Sequence, residues 1–221
     1  MRKIVVLAMV VFLVLGLAGF ALAGTKKVQA KPFIFDPEES GLVAAAWVTH
    51  QGLPDAGKSA HALMLQISPA EGAEPTPAPA ATLSKAGAVI KGVKGLTLTE
   101  LGFDIKNDGV FTAAPRFEVY TDSGVFTFTM SDTNTTPLNL DWNRVRFSDA
   151  DAVPPAPAPA PEPAPAPTAV TVFGSLVVQS VTIIFDGEGS ILLDNIDFNG
   201  ALMGKPGNAT FKVAPKPKGK K

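Results

Sequence analysis

Arg116, Glu118 and Tyr120 stand at alternate positions of the run Arg-Phe-Glu-Val-Tyr, with Phe117 and Val119 between them. A strand turns successive side chains to opposite faces. This spacing therefore gathers a guanidinium, a carboxylate and a phenol on one face and the apolar pair on the other. An aromatic ring flanked by hydrogen-bonding groups suits the C–H face and the hydroxyls of a sugar. Tyr120 is the candidate stacking aromatic, with Arg116 beside it. Arg144 and Arg146 repeat the pattern in residues 142–147, Trp-Asn-Arg-Val-Arg-Phe, opposite Val145 and Phe147. Their guanidiniums suit either a carboxylated sugar or acids on neighbouring strands. The chain is otherwise poor in stacking surface. Trp47, Trp142 and Tyr120 are the only aromatics besides 14 Phe. Trp47 follows three alanines in an apolar run and reads as core, and Trp142 as packing at an edge of the fold.

The same inventory argues against catalysis. With no cysteine there is no thiolate nucleophile, thiolate metal site or disulfide framework. Two histidines are too few for a multi-histidine metal centre. His50 lies beside a Gly-Leu-Pro turn and His61 opens an apolar run, so both read as structural. No Gly-x-Ser-x-Gly elbow, phosphate loop or zinc spacing occurs. Twenty acidic residues supply many carboxylate pairs and so single out none for glycoside hydrolysis. The expectation is a protein that is not an enzyme.

The elements that must position these residues read as strands. Val181, Ile183 and Phe185 share a face, as do Leu63, Leu65 and Ile67, and Phe126, Phe128 and Met130. Asn107-Asp108-Gly109 and Asp122-Ser123-Gly124 are turn signals. About nine strands are predicted, near 42–49, 61–67, 86–92, 96–106, 115–121, 124–130, 142–147, 177–185 and 191–198. Between 96 and 105 the apolar set switches parity, from Leu96 and Leu98 to Leu101, Phe103 and Ile105, which predicts a β-bulge near Thr99 and Glu100. No sustained helical period appears beyond the N-terminal apolar run. The pattern predicts an all-β fold, an antiparallel two-sheet β-sandwich of jelly-roll type.

Residues 1–23 have the form of a secretory signal peptide: Met-Arg-Lys, an apolar run from Ile4, and Ala21-Leu22-Ala23 before Gly24. An uncleaved anchor is the alternative reading, since residues 4–23 carry no charge. No second apolar stretch approaches membrane length, so no span is expected after cleavage. The expected location is extracellular or cell envelope. Charge is unevenly spread. The signal holds two of the 19 basic residues and the last 17 residues hold six, leaving 11 basic against 20 acidic residues in 24–204, a net −9. A whole-chain charge of −1 with an acidic body argues against a nucleic-acid partner. The basic end, 205–221, reads as a solvated, disordered tail; contact with anionic surface polymers is its functional alternative. Prolines cluster in 69–82 and 152–168. Within the second cluster, residues 154–167 alternate Pro-Ala and would span about 43 Å as polyproline II. Too few strands follow it for a separate domain, so both clusters read as disordered loop insertions in one domain, 24–204. Asn-x-Thr sequons occur at Asn134 and Asn208.

The most specific stretch is Ser180–Gly200, Ser-Val-Thr-Ile-Ile-Phe-Asp-Gly-Glu-Gly-Ser-Ile-Leu-Leu-Asp-Asn-Ile-Asp-Phe-Asn-Gly. It resembles the last two strands of jelly-roll carbohydrate-binding modules. Phe35-Asp36, Trp47 and Gly57-Lys-Ser-Ala-His-Ala-Leu63 are similar to the opening of such modules. Leu101-Gly-Phe-Asp104 and Ala114-Pro-Arg-Phe-Glu-Val119 look like the middle of uncharacterised secreted bacterial proteins of this shape. The resemblance is patchy and covers about residues 33–200. It implies a non-catalytic module binding a polysaccharide or cell-wall glycan. It also implies a structural calcium tying the N-terminal segment to the final strand, with Asp36, Glu38 or Glu39 and Asp194 as ligands. Asp36 stands where those modules more often have Glu. The alternative function is a structural or protein-interaction sandwich with no small ligand.

Overall fold

The computed structural model describes residues 25–54, 60–69, 84–154, 171–206 and 209–212; of 25, 26 and 209–212 it describes the backbone alone. The signal segment and its cleavage site, most of both proline clusters and most of the basic tail lie outside the described residues. The chain divides into two compact units: residues 27–209, and a smaller one combining 1–26 with 210–221. Of the smaller unit, the described backbone comprises the first two residues of β1 and the last three of β14 (Ala209–Lys212), a strand inside the segment expected to be disordered.

Residues 27–209 form a sandwich of two antiparallel sheets. Sheet 1 runs β10 (Ala152–Val153), β7 (Gly124–Thr129), β6 (Arg116–Thr121), β11 (Val178–Phe185), β4 (Lys85–Lys91), β1 (Thr25–Phe35). Sheet 2 runs β2 (Val43–Thr49), β3 (His61–Ile67), β12 (Gly189–Phe198), β5 (Leu101–Lys106), β9 (Trp142–Arg146), β8 (Thr135–Pro137), and β13 (Ala201–Met203) adds to β12. No α-helix occurs among the described residues; two single 3-10 turns, Asp132–Asn134 and Asp149–Asp151, interrupt the loops. The consecutive strands β11 and β12 divide between the sheets. β11 lies between β4 and β6, and β12 between β3 and β5. Early and late strands therefore interleave at the centre of both layers, as in a jelly roll.

Alternation builds the core. Phe117 and Phe128 point inward from sheet 1, and Phe103 and Phe147 from the sheet 2 side. Their rings meet with centroids 5.7–5.9 Å apart, three of the four contacts edge-on. Val181, Ile183, Phe185, Leu63 and Leu65 are fully buried around them.

Four expectations about the elements are corrected. β1 is an additional strand, antiparallel to β4, with Pro32 opposite Ala88. Pro32 lacks an N–H and so cannot donate to the ladder, yet it keeps its place in the antiparallel register. Ala152 and Val153, assigned to the second proline-rich loop, pair with Phe128 and Thr127 as β10. β8 and β13 are short strands whose length leaves no periodic signal. The parity switch near Thr99 is not a bulge. Thr97 bridges Val177 beside sheet 1, while β5 begins at Leu101 in sheet 2. The chain crosses between layers there. Asn199 holds the crossing, with its Oδ1 accepting from Thr99 N (2.7 Å) and Glu100 N (3.1 Å) and its Nδ2 donating to Thr97 O (2.7 Å). The register shift lies instead in β12, between Asp194 and Asp197, where Asn195 takes φ +43°.

Candidate functional site

The outward face of sheet 1 carries an open hollow of about 340 Å³ lined by Phe33, Phe35, Lys85, Val89, Glu118, Tyr120, Thr182 and Ile184. Register explains the grouping. Val89 lies opposite Thr182 and Thr182 opposite Glu118; Phe33 lies opposite Gly87, Gly87 opposite Ile184, and Ile184 opposite Arg116. Residues two apart on four adjacent strands thus form one outward surface. Gly87 is required at its place: a Cβ there would run into the Ile183 carbonyl oxygen of β11 and would meet Phe33 Cε1 at 2.7 Å and Cζ at 2.8 Å. The Phe33 ring lies against this bare backbone, and Ile184, though outward, is only 4% exposed. Phe35 and Tyr120 are 47% and 38% exposed at the two ends of the surface.

The polar groups here are tied to one another. Arg116 donates to Asp186 (2.8 Å) and reaches Glu118 at 3.5 Å; Tyr120 Oη donates to Glu118 Oε2 (3.0 Å). The hydrogen bond from Arg116 holds the Asp186 carboxyl below the usual aspartate range, outweighing its burial, and Lys85 adds to the effect. Partial burial, then the bond to Glu118, raise the Tyr120 phenol above its ordinary value. Lys85 and Arg116 face Glu118 and Asp186, two cations against two anions, so the hollow is near neutrality.

The four ligand-contact candidates separate into two pairs. Arg116 and Tyr120 lie on the outward face of sheet 1, whereas Arg144 and Arg146 face outward from sheet 2, on the opposite side of the sandwich. Arg144 forks onto Asp104 of β5, Nε to Oδ1 at 3.0 Å and Nη2 to Oδ2 at 3.1 Å. Asn195 Nδ2 adds a third bond to Asp104 at 2.9 Å, and Arg146 lies 3.7 Å from Asp104 and 3.9 Å from Asp197. Asp104, Asp194 and Asp197 are all buried despite their outward positions. The reading of Arg144 as a partner for a neighbouring strand's acid matches this geometry.

Asp36, Glu38 and Glu39 follow β1 on an exposed turn. The Asp36 carboxylate accepts from Ser40 Oγ (3.0 Å) and Gly41 N (2.9 Å). Desolvation is the largest single influence and raises its pKa, but the hydrogen bonds from Gly41 and Ser40 together outweigh it and lower the pKa. Asp194 is fully buried, with Oδ2 accepting from Leu53 N at 2.7 Å. The pairing of Leu193 with Leu63 puts Asp194 near the start of β3, whereas Leu42 O accepts from Ser68 N at its other end, about 20 Å away along the strand. The ligand set implied for calcium is therefore spread over the length of β3. Among the described residues, no three His, Asp or Glu side chains are placed to hold a metal.

Trp47 is half-buried, its indole N–H donating to Ala30 O (3.2 Å) and linking β2 of sheet 2 to β1 of sheet 1. Trp142 is 5% exposed under the turn that precedes it, which takes its backbone into three hydrogen bonds. His50 is exposed at φ +62°, and His61 Nδ1 is buried with no partner among the described residues. Asn134 of the first sequon is buried, its amide donating to Thr129 O (3.0 Å) and Asp151 Oδ1 (2.9 Å). Sequence reasoning missed Phe33 and Phe35 as site residues. The alternation Phe-Ile-Phe at 33–35 was their signal, masked by Pro32. Among the described residues no helix is long and apolar enough to cross a membrane. No family model, no curated protein and no solved structure matches this chain.

Proposed function

We propose that this β-sandwich is a secreted or cell-surface, non-catalytic glycan-binding module, and that the hollow on sheet 1 is its binding surface. One observation carries the reading: three aromatic side chains from two separate strands, Phe33 and Phe35 of β1 and Tyr120 of β6, line a single open depression. Rings of this kind supply flat area for sugar C–H faces at low entropic cost, and Glu118, Thr182 and Lys85 supply hydroxyl partners between them. The balanced charge favours an uncharged saccharide over a uronic acid. A surface this open suits a chain lying across it rather than a single enclosed ring.

The test is binding of the purified protein to an array of neutral and acidic glycans, followed by titration calorimetry on the best ligand. Tyr120→Ala is expected to weaken binding by about tenfold, roughly 1.4 kcal/mol, and Tyr120→Phe to weaken it less. No saturable binding to any glycan would defeat the reading and leave the structural or protein-interaction domain.

A further inference from the structure

A second cavity of about 310 Å³ opens at one end of the sandwich, away from the sheet 1 hollow and sharing no residue with it. Its apolar surface is Ile105, Met130 and Phe111; its polar surface includes Asn107, Asp132 and Asn143. Asn143 sits in register with Ile105, on the side of β9 that Val145 and Phe147 turn inward. An amide thus replaces the apolar side chain that the alternation calls for at the mouth of the core. The Asn143 amide and the Asp132 carboxylate make no hydrogen bond to another described residue. Asn107 spends its Nδ2 on Leu140 O (3.3 Å), which leaves its Oδ1 open. The one cation lining the cavity, Lys106, is already spent on Asp108. Open acceptors outnumber open donors, and the unmatched charge is negative.

We propose that this cavity takes the side chain of a lysine presented by a protein partner. The methylene stem would lie along Ile105 and Met130, and the ammonium would reach Asp132 and the open oxygens of Asn107 and Asn143. The Phe111 ring and the Met130 sulfur are soft neighbours for a cation. The net −9 of residues 24–204 supplies a long-range field of the right sign. A macromolecular source is favoured over a free amine by the rim. Val110 lies between two lining residues and is 88% exposed; Leu140, tied to Asn107, is 95% exposed. Exposed apolar side chains beside a polar pocket suit a protein surface.

The test is an NMR titration of the whole protein with a five-residue peptide carrying one central lysine between apolar residues. Matched peptides carry Nζ-acetyl-lysine or norleucine, and 1,5-diaminopentane is a further probe. The expected result is saturable shifts at the Asn143 side-chain amide and the Gly109 backbone amide with the lysine peptide. These should weaken at least tenfold in Asp132→Asn, weaken further with added salt, and persist in Tyr120→Ala. Asp132 is exposed and the swap keeps its shape, so folding is retained; Asn143→Ala is the second variant. Equal shifts from the acetylated or norleucine peptide, no shift at millimolar peptide, or an unchanged response in both variants would overturn the proposal. Tighter binding of the diamine than of the peptide would overturn the protein source. Because the Tyr120 variant reports only on the sheet 1 hollow, failure of the glycan reading and failure of this one are separable.

Discussion

Arg144 presents two of its nitrogens to a carboxylate that water does not reach. The Asp104 side chain is 0% exposed while that of Arg144 is 40% exposed. Removing the cation would leave a buried charge with only Asn195 and the more distant Arg146 to answer it. Arg144→Ala is therefore expected to cost roughly 2–4 kcal/mol in urea denaturation. The paired change Arg144→Met with Asp104→Leu should recover most of that loss, which would separate a structural from a ligand-binding arginine. Asp197 and Asp186 carry opposite pH signatures. Burial raises the Asp197 carboxyl against the pull of Gly200 N–H and Arg146. Its folded pKa exceeds the unfolded one, so its contribution is full below the unfolded value and lost as pH rises through the folded value. Asp197→Asn should then be at least as stable as the parent at pH 7. Asp186 is lowered by Arg116, so its contribution is present above the unfolded value near 3.9 and disappears as pH falls through the folded one. The stability lost in Arg116→Gln is expected to shrink on acidification below about pH 4. A constant difference across that range would show that Arg116 acts by packing alone.

The strands whose two faces differ in polarity were legible from alternation: β3, β6, β7, β9 and β11 lie within a residue or so of where periodicity put them. β1 was not, because Pro32 interrupts its pattern and because its Phe33 and Phe35 face outward, where alternation alone does not call for rings. A parity switch has two physical origins, an inserted residue or a change of layer, and the sequence between Leu98 and Leu101 does not discriminate them. Asn199 does so in three dimensions, from a hundred residues away in sequence. Asn199→Ala removes all three of its bonds to the crossing and is expected to cost about 1–3 kcal/mol, with amide exchange at Thr99 and Glu100 accelerating first. On the outward face of sheet 1, Gly87→Ala would push against the Ile183 carbonyl of the neighbouring strand and against the Phe33 ring. It should cost roughly 1–3 kcal/mol and, on the proposed glycan reading, lower affinity together with stability.

At the scale of the whole molecule, the late consecutive strands β11 and β12 occupy the interior of the two sheets, one in each. Each layer is therefore completed only after the chain has been made almost to its end. A chain ending before Val178 loses the middle strand of each sheet and is expected to show no cooperative urea transition. Folding of the full chain should be slow for its size, since most pairings join distant segments; millisecond-to-second kinetics in stopped-flow refolding would agree, and microsecond folding would not. Alternation, turn residues and the absence of a helical period sufficed to identify an all-β sandwich, because each depends only on neighbours along one strand. The same local pattern placed Arg116 beside Tyr120 and Arg144 beside Arg146. Which faces look at each other is a matter of strand order, and strand order is decided by pairings across the chain. Only the tertiary structure could set the two arginine pairs on opposite sides of the sandwich, bring Phe33 and Phe35 to the side of Tyr120, and bury Asp104 under Arg144.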